Sequence, residues 1–224
     1  MHRRTIALIG EERYKKIAAS KVAVIGVGGV GGYVAEMIAR CGVGDITLVD
    51  GDAVDISNLN RQIIALVSSV GRSKVDVAKE RIADINPNIK VTAVAERISE
   101  ENIEYILSGK YDYIVDAIDS VNDKVALIKF AKSKNFNIIS SMGAGNRYKD
   151  CVYAVADIYK TKYDPLAKKM RGLMRKEGIE ELEVCYSETP AEPIVGGFIG
   201  SISYTPAMCG ITIAAHVIRR IMGE

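Results

Sequence analysis

Short β-branched runs alternate along this chain with stretches of helical period. KVAVI at residues 21–25, DITLVD at 45–50, residues 90–95, DYIVDA at 112–117 and NIISS at 137–141 each read as a strand. Residues 33–40, 74–86 and 124–133 read as the helices between them, the second stopped by Pro87. Such alternation predicts an α/β fold, a doubly wound and mainly parallel sheet with right-handed crossovers. The fourth and fifth runs are apolar enough for a sheet buried on two faces. Beyond Gly145 the regularity weakens: residues 153–158 suit a strand, residues 165–177 a helix capped by Gly178, and residues 207–218 a buried C-terminal helix. The pattern holds no internal repeat and predicts one domain, residues 1–224, with 145–224 as its variable, substrate-facing part.

Composition narrows this picture without redirecting it. A chain of 224 residues that is 48% hydrophobic buries a full core, and a net charge of +2 is too small to announce a nucleic-acid partner by itself. Cys41, Cys151, Cys185 and Cys209 stand far apart with no C-x-x-C pair, which excludes a zinc ribbon and suits a reducing cytoplasm. MHRRTIALIG lacks the long apolar run and cleavage site of a signal peptide. The apolar stretch 207–218 contains His216 and falls short of the roughly twenty residues a membrane span needs. A cytoplasmic protein is expected.

Candidate chemistry begins at Gly26-Val27-Gly28-Gly29-Val30-Gly31, a G-x-G-x-x-G set between a strand and a helix. Glycine there lets the backbone turn sharply and lets phosphate oxygens reach amide donors at a helix N-terminus, although a plain tight turn needs glycine too. Asp50 ends the next strand, placed to accept from ribose hydroxyls. NAD and ATP fit this much equally well. Arg61 in ISNLNRQ and Lys74 in VGRSK then offer two cations to a polyphosphate tail, for which hydride transfer has no use. A dehydrogenase would also want a proton donor, and both histidines, His2 and His216, lie outside the strand ends. Asp116 and Asp119 follow the fourth strand, where a carboxylate either holds Mg²⁺ or caps the next helix.

These residues together resemble the nucleotide site of the ubiquitin-activating superfamily and its bacterial adenylating enzymes, which implies an E1-like adenylation fold. By that resemblance Gly26, Gly28, Gly29, Gly31, Asp50, Asp52, Ser57, Asn58, Asn60, Arg61, Gln62, Lys74, Asp119 and Ser120 hold ATP, with Asp50 on the ribose. Asn58, Arg61 and Lys74 meet the phosphates, Gln62 supports them, and Asp119 binds Mg²⁺. Arg4, in RTIALIG, resembles an arginine that reaches the neighbouring subunit's ATP, implying a homodimer and a catalytic set of Arg4, Arg61, Lys74 and Asp119. The closer resemblance is to the tRNA threonylcarbamoyladenosine dehydratases, carried by NLNRQI, INPNI, DAIDS, SSMGAGN, VADIYKTKYDPLAKKMR and CYSE. Tyr148-Lys149-Asp150-Cys151 departs from it where an Asp-Pro pair is expected. The family's reaction closes the threonylcarbamoyl side chain at tRNA position 37 into a ring, through ATP activation of its carboxylate. The resemblance adds Mg²⁺, a monovalent cation, and a sulfur-transfer or carrier protein to the expected cofactors and partners. The alternative is an adenylating enzyme for a small sulfur carrier ending in Gly-Gly; a nucleotide-sensing module without turnover is a third reading.

Two further features stand apart from the nucleotide residues. Residues 160–176 carry Lys160, Lys162, Lys168, Lys169, Arg171, Arg175 and Lys176 against Asp164 alone, an RNA contact or an ordinary solvated helix face. On that helix Leu166, Met170, Leu173 and Met174 form the apolar side. Cys185 invites a thioester role, although a lone cysteine is more often a small packed residue.

Overall fold

The computed structural model describes residues 1–149, 151–194 and 196–224. Five strands and their helices follow the expected alternation: β1 (Lys21–Ile25), α3 (Gly31–Cys41), β2 (Asp45–Val49), α4 (Lys74–Ile85), β3 (Lys90–Val94), β4 (Tyr113–Asp116), α6 (Val121–Ser133) and β5 (Ile138–Ser141). Before them stand α1 (Arg3–Ile9) and α2 (Glu11–Ala19), and α5 (Ile103–Ile106) lies between β3 and β4. After them come β6 (Tyr153–Asp157), α7 (Pro165–Lys176), β7 (Glu183–Ser187) and α8 (Tyr204–Met222). The strands form one sheet in the order β3-β2-β1-β4-β5-β7-β6, parallel throughout except that β6 runs antiparallel to β7.

Alternation within β1 shows why the sheet is covered twice. Val22 and Val24 face the helices α3, α4 and α8, packing with Val34, Ile38, Val75, Ile213 and Val217. Ala23 and Ile25 face the other way, toward Leu127 and Ile128 of α6 and Met170 and Met174 of α7. Each such Val, Ile, Leu or Met side chain contributes about 1.5–3 kcal/mol by leaving water. Local signals set the helix ends. Gly42 stops α3 in the left-handed conformation at φ 96°, and Asp164 caps α7 by accepting from Ala167 N at 3.0 Å, with Pro165 in the first turn.

Two differences from the sequence pattern have physical causes. Residues 183–187 form β7, an interior strand, because β5 and β6 both pair with it. The N-terminal helices α1 and α2 bury only Ile17 between them, so their apolar period is faint. Gly178, at φ 68°, does close α7, one residue beyond Glu177.

Candidate functional site: a nucleotide cleft at the carboxyl edge of the sheet

Every parallel strand points its C-terminal end at one edge, and the glycine turn sits at the middle of it. Gly26 has a φ of 87°, and a Cβ there would lie 2.6 Å from Ala117 O. At Gly31 a Cβ would fall 1.8 Å from Gly26 O, so only glycine lets α3 start against the strand it follows. Gly28 and Gly29 face outward, toward Gln62 and toward Pro206 at the start of α8. Asp50 pins this turn: its Oδ2 accepts from Val27 N at 2.7 Å and its Oδ1 from Asp52 N at 2.9 Å.

Beside the turn lies a compact set of opposite charges. Lys74 begins α4 as a buried residue, with Nζ 2.9 Å from Asp52 Oδ2 and 4.0 Å from Asp50 Oδ1. Arg97 Nη2 donates to the other oxygen of Asp52 at 2.8 Å. The hydrogen bond from Lys74, and then that from Arg97, hold the Asp52 carboxyl below its ordinary range. Arg97 is not among the residues that the sequence singles out; its only signal is a cation just past the carboxyl end of the third strand. Gly51 makes room for it, since a Cβ there would lie 2.6 Å from Arg97 Cγ.

The segment Ile56–Asn58 is a turn of 3₁₀ helix whose capping box joins Asp55 and Asn58, so the Asn58 side chain serves the loop itself. Half-buried Arg61 donates to Ser57 O and Asn60 Oδ1, both at 2.9 Å, and Ser57 is exposed. Gln62 is buried, and its Oε1 has no hydrogen-bond partner among the described residues. A buried acceptor without a donor is costly, so this amide suits a bound group that brings the missing donor.

The two aspartates after β4 separate sharply. Asp116 is wholly buried, with Lys124 Nζ at 2.8 Å, Ser140 Oγ at 2.5 Å and Ile118 N at 3.1 Å, which removes it as a metal ligand. Asp119 is exposed with no hydrogen bond or ion pair among the described residues, and its charge reaches Arg97. It does not cap α6; Ser120 occupies the cap position without a side-chain bond.

Other expected residues lie elsewhere. Arg4 is exposed on α1, which packs on α2, away from the nucleotide cleft of its own chain. Cys185 lies wholly buried within β7, its Sγ 3.6 Å from that of Cys209, so it is a packed core thiol. On α7, Arg171 turns inward to Thr161 and to Ile158 O, and Arg175 lies over the Tyr159 ring, leaving Lys168, Lys169 and Lys176 exposed. Asp150 of the departing loop lies outside the described residues.

Comparison with known proteins fits this geometry. A model of the ThiF family matches residues 2–224. A tRNA threonylcarbamoyladenosine dehydratase of Bacillus subtilis is 40% identical, over 96% of this chain and 92% of its own. The chain belongs to the ThiF family, in its tRNA threonylcarbamoyladenosine dehydratase branch. Among solved structures, the dehydratase TcdA of Escherichia coli in complex with ATP matches this ThiF protein with a TM-score of 0.92 at 34% identity, covering 98% of this chain and 93% of that one. The AMP complex of the same enzyme matches at 0.93 and 35% identity, with the same coverage. No helix among the described residues is long and apolar enough to cross a membrane.

Proposed function

We propose that this protein uses ATP to cyclise threonylcarbamoyladenosine at position 37 of tRNA, with loss of water. The observation that carries the reading is the end-to-end match to dehydratases of that name, over a chain whose turn, charged cluster and orphaned amide meet at one edge of the sheet. Hydroxide is too poor a leaving group to be displaced from a carboxylate, whereas an acyl-adenylate can expel AMP. The side-chain carboxylate attacks the α-phosphorus, the bond to pyrophosphate breaks, and an acyl-adenylate forms. A nitrogen or oxygen within the same side chain then attacks the carbonyl carbon and loses its proton; AMP leaves carrying the carboxylate oxygen.

In this scheme Asp50 accepts from the ribose, with its orientation already set by the amides of Val27 and Asp52. Lys74 and Arg61 stabilise charge on the phosphates, and Asn58, Asn60, Ser57, Gln62 and Ser120 line the same cleft. The hydrogen bond to Asp52 fixes the direction of the Lys74 side chain, so the fold itself aims it. Asp119 offers an exposed, uncommitted carboxylate that fits Mg²⁺, an ion that binds through one or two carboxylates plus phosphates. Bound there, Mg²⁺ would neutralise charge on the phosphates. A monovalent cation, a homodimer in which Arg4 reaches the partner's cleft, and a sulfur-transfer or carrier protein remain part of the reading. The domain assignment, one unit with residues 145–224 facing the tRNA, is part of it too.

Exposed Lys168 and Lys169 support the tRNA side, since α7 starts at the same edge of the sheet, where its cap Asp164 accepts from Gly143 N at 3.1 Å. The deciding experiment is nucleoside mass analysis of tRNA incubated with the protein and ATP. Loss of one water mass from threonylcarbamoyladenosine supports the reading. Unchanged tRNA, with pyrophosphate exchange that depends on a Gly-Gly-ended protein, supports the sulfur-carrier alternative.

A further inference from the structure

Residues 196–203 cross the carboxyl edge of the sheet beside the nucleotide cleft. Gly196 and Gly197 turn the chain with φ of 69° and 76°, and the residue they present, Phe198, is 82% exposed. The residues after Phe198 are firmly held. Gly200 N donates to Asn146 Oδ1 at 2.5 Å, Asn146 N donates to Gly200 O at 2.8 Å, and Asn60 Nδ2 donates to Ser201 O at 3.1 Å. Gly145 leaves space for Ile199, because a Cβ there would lie 2.5 Å from Ile199 Cγ2. One anchor, Asn60, lies just past the Ile56–Asn58 turn; the other, Asn146, lies beyond β5. The Phe198 ring therefore stands at the rim of the cleft.

That ring has no aromatic, cation–π or hydrogen-bonding partner among the described residues. The other exposed rings of this region are engaged. Tyr204 donates its hydroxyl to Tyr148 O at 2.6 Å, and Lys149 lies over the Tyr148 ring at 5.0 Å. An exposed phenyl on a loop tethered at two points gains nothing for the fold.

Ring closure sets a demand that this placement meets. The reacting carboxylate must touch the α-phosphorus, and it hangs only a few bonds from the adenine that bears it. The base has to leave its stack and be parked at the rim of the cleft. We propose that Phe198 is the platform on which the unstacked, modified adenine of the tRNA rests, with Ile199 as its apolar neighbour. The inference rests on the dehydratase reading. A phenyl face offers a base area for stacking without reading its edge, so Phe198 positions the base while other contacts identify it.

The chain contains no tryptophan, which makes the test direct. Phe198→Trp creates a single tryptophan at the rim, excited selectively over the tyrosines, and Tyr105→Trp places a control on α5, where Tyr105 is 80% exposed. Adding tRNA that bears the threonylcarbamoyl group should quench the first and leave the second unmoved. Phe198→Ala should lower kcat/KM for that tRNA about tenfold to a hundredfold with ATP affinity unchanged, and Phe198→Tyr should recover most of the loss. Unaltered kcat/KM in Phe198→Ala would overturn the inference. So would an emission blue-shift in Phe198→Trp that tracks protein concentration without RNA, which would assign this face to a second copy of the chain. An unsubstituted protein that converts no tRNA would remove the dehydratase reading, and this inference with it.

Discussion

Lys124→Met should be among the most destabilising single changes in this protein. Lys124 and Asp116 are both 0% exposed, and the ammonium lies 2.8 Å from Asp116 Oδ1. Removing it strands a carboxylate that has only Ser140 and the amide of Ile118 to replace water. Breaking one side of a buried pair costs about 3–5 kcal/mol. No discount for solvent applies at this depth. For a domain of this size, about 2–4 °C of melting temperature accompanies each kcal/mol, so a drop of about 6–20 °C is expected. The double variant Asp116→Asn/Lys124→Met should regain most of it, because the new amide still accepts from Ile118 N, now donates to Ser140, and carries no charge to bury. Thermal melts monitored by far-ultraviolet circular dichroism measure all the terms of the cycle. A single variant that melts within about 2 °C of the parent, or a double variant no more stable than the single, would refute the reasoning.

Asp119→Ala should nearly abolish turnover while weakening ATP binding only modestly, since a metal ligand matters most as charge develops on the phosphates; equilibrium nucleotide titration beside AMP release separates the two. Reversing Lys168 and Lys169 to Glu should weaken tRNA binding and flatten its log–log salt dependence by roughly one unit per lost phosphate contact; an unaltered slope would return α7 to a solvated face. Cys185→Ala should retain turnover, because the thiol is sealed inside the sheet, and loss of AMP release in a variant that still melts cooperatively would reinstate a thioester. Glu183 is pulled from its ordinary 4.5 to about 2, first by the His216 hydrogen bond, with Tyr113 and Arg220 adding to it. Its stabilisation is therefore complete above about 4.5 and disappears as the pH falls toward 2. Because Glu183 is partly exposed, Glu183→Gln should cost about 1 kcal/mol at pH 7 and nothing near pH 2 by urea titration.

Much of the fold could be read from the chain because β1, β2, β4 and β5 are short buried apolar runs separated by stretches of helical period. The final strand could not: EVCYS, at residues 183–187, is framed by acids, and its neighbour β5 ends at Ser141. At the site, motif residues were legible wherever backbone shape demands them, as at Gly26 and Gly31. Charge pairing was not. Asp116 and Asp119 look alike in DAIDS, and only the position of Lys124 on α6 shows which carboxylate is consumed inside the protein. Arg97 belongs to no motif, and Arg171 sits among cations of identical appearance until Thr161 is placed beside it. Sequence spacing predicts local geometry well; it says little about which of several like charges finds a partner far along the chain.

The strand order also sets a schedule for the newborn chain. β6 is made before β7, yet β7 is the one described strand beside it in the sheet, so it must wait unpaired while α7 is synthesised. The glycine turn waits longer still. Pro206 and Gly210 of α8 press against Gly29 and Val30, and α8 is made after every strand of the sheet. The ribosome holds the most recently made stretch of any nascent chain out of reach of the domain it completes. The nucleotide pocket is therefore closed only once α8 has emerged, and a chain halted before that point has no finished pocket in which to spend ATP.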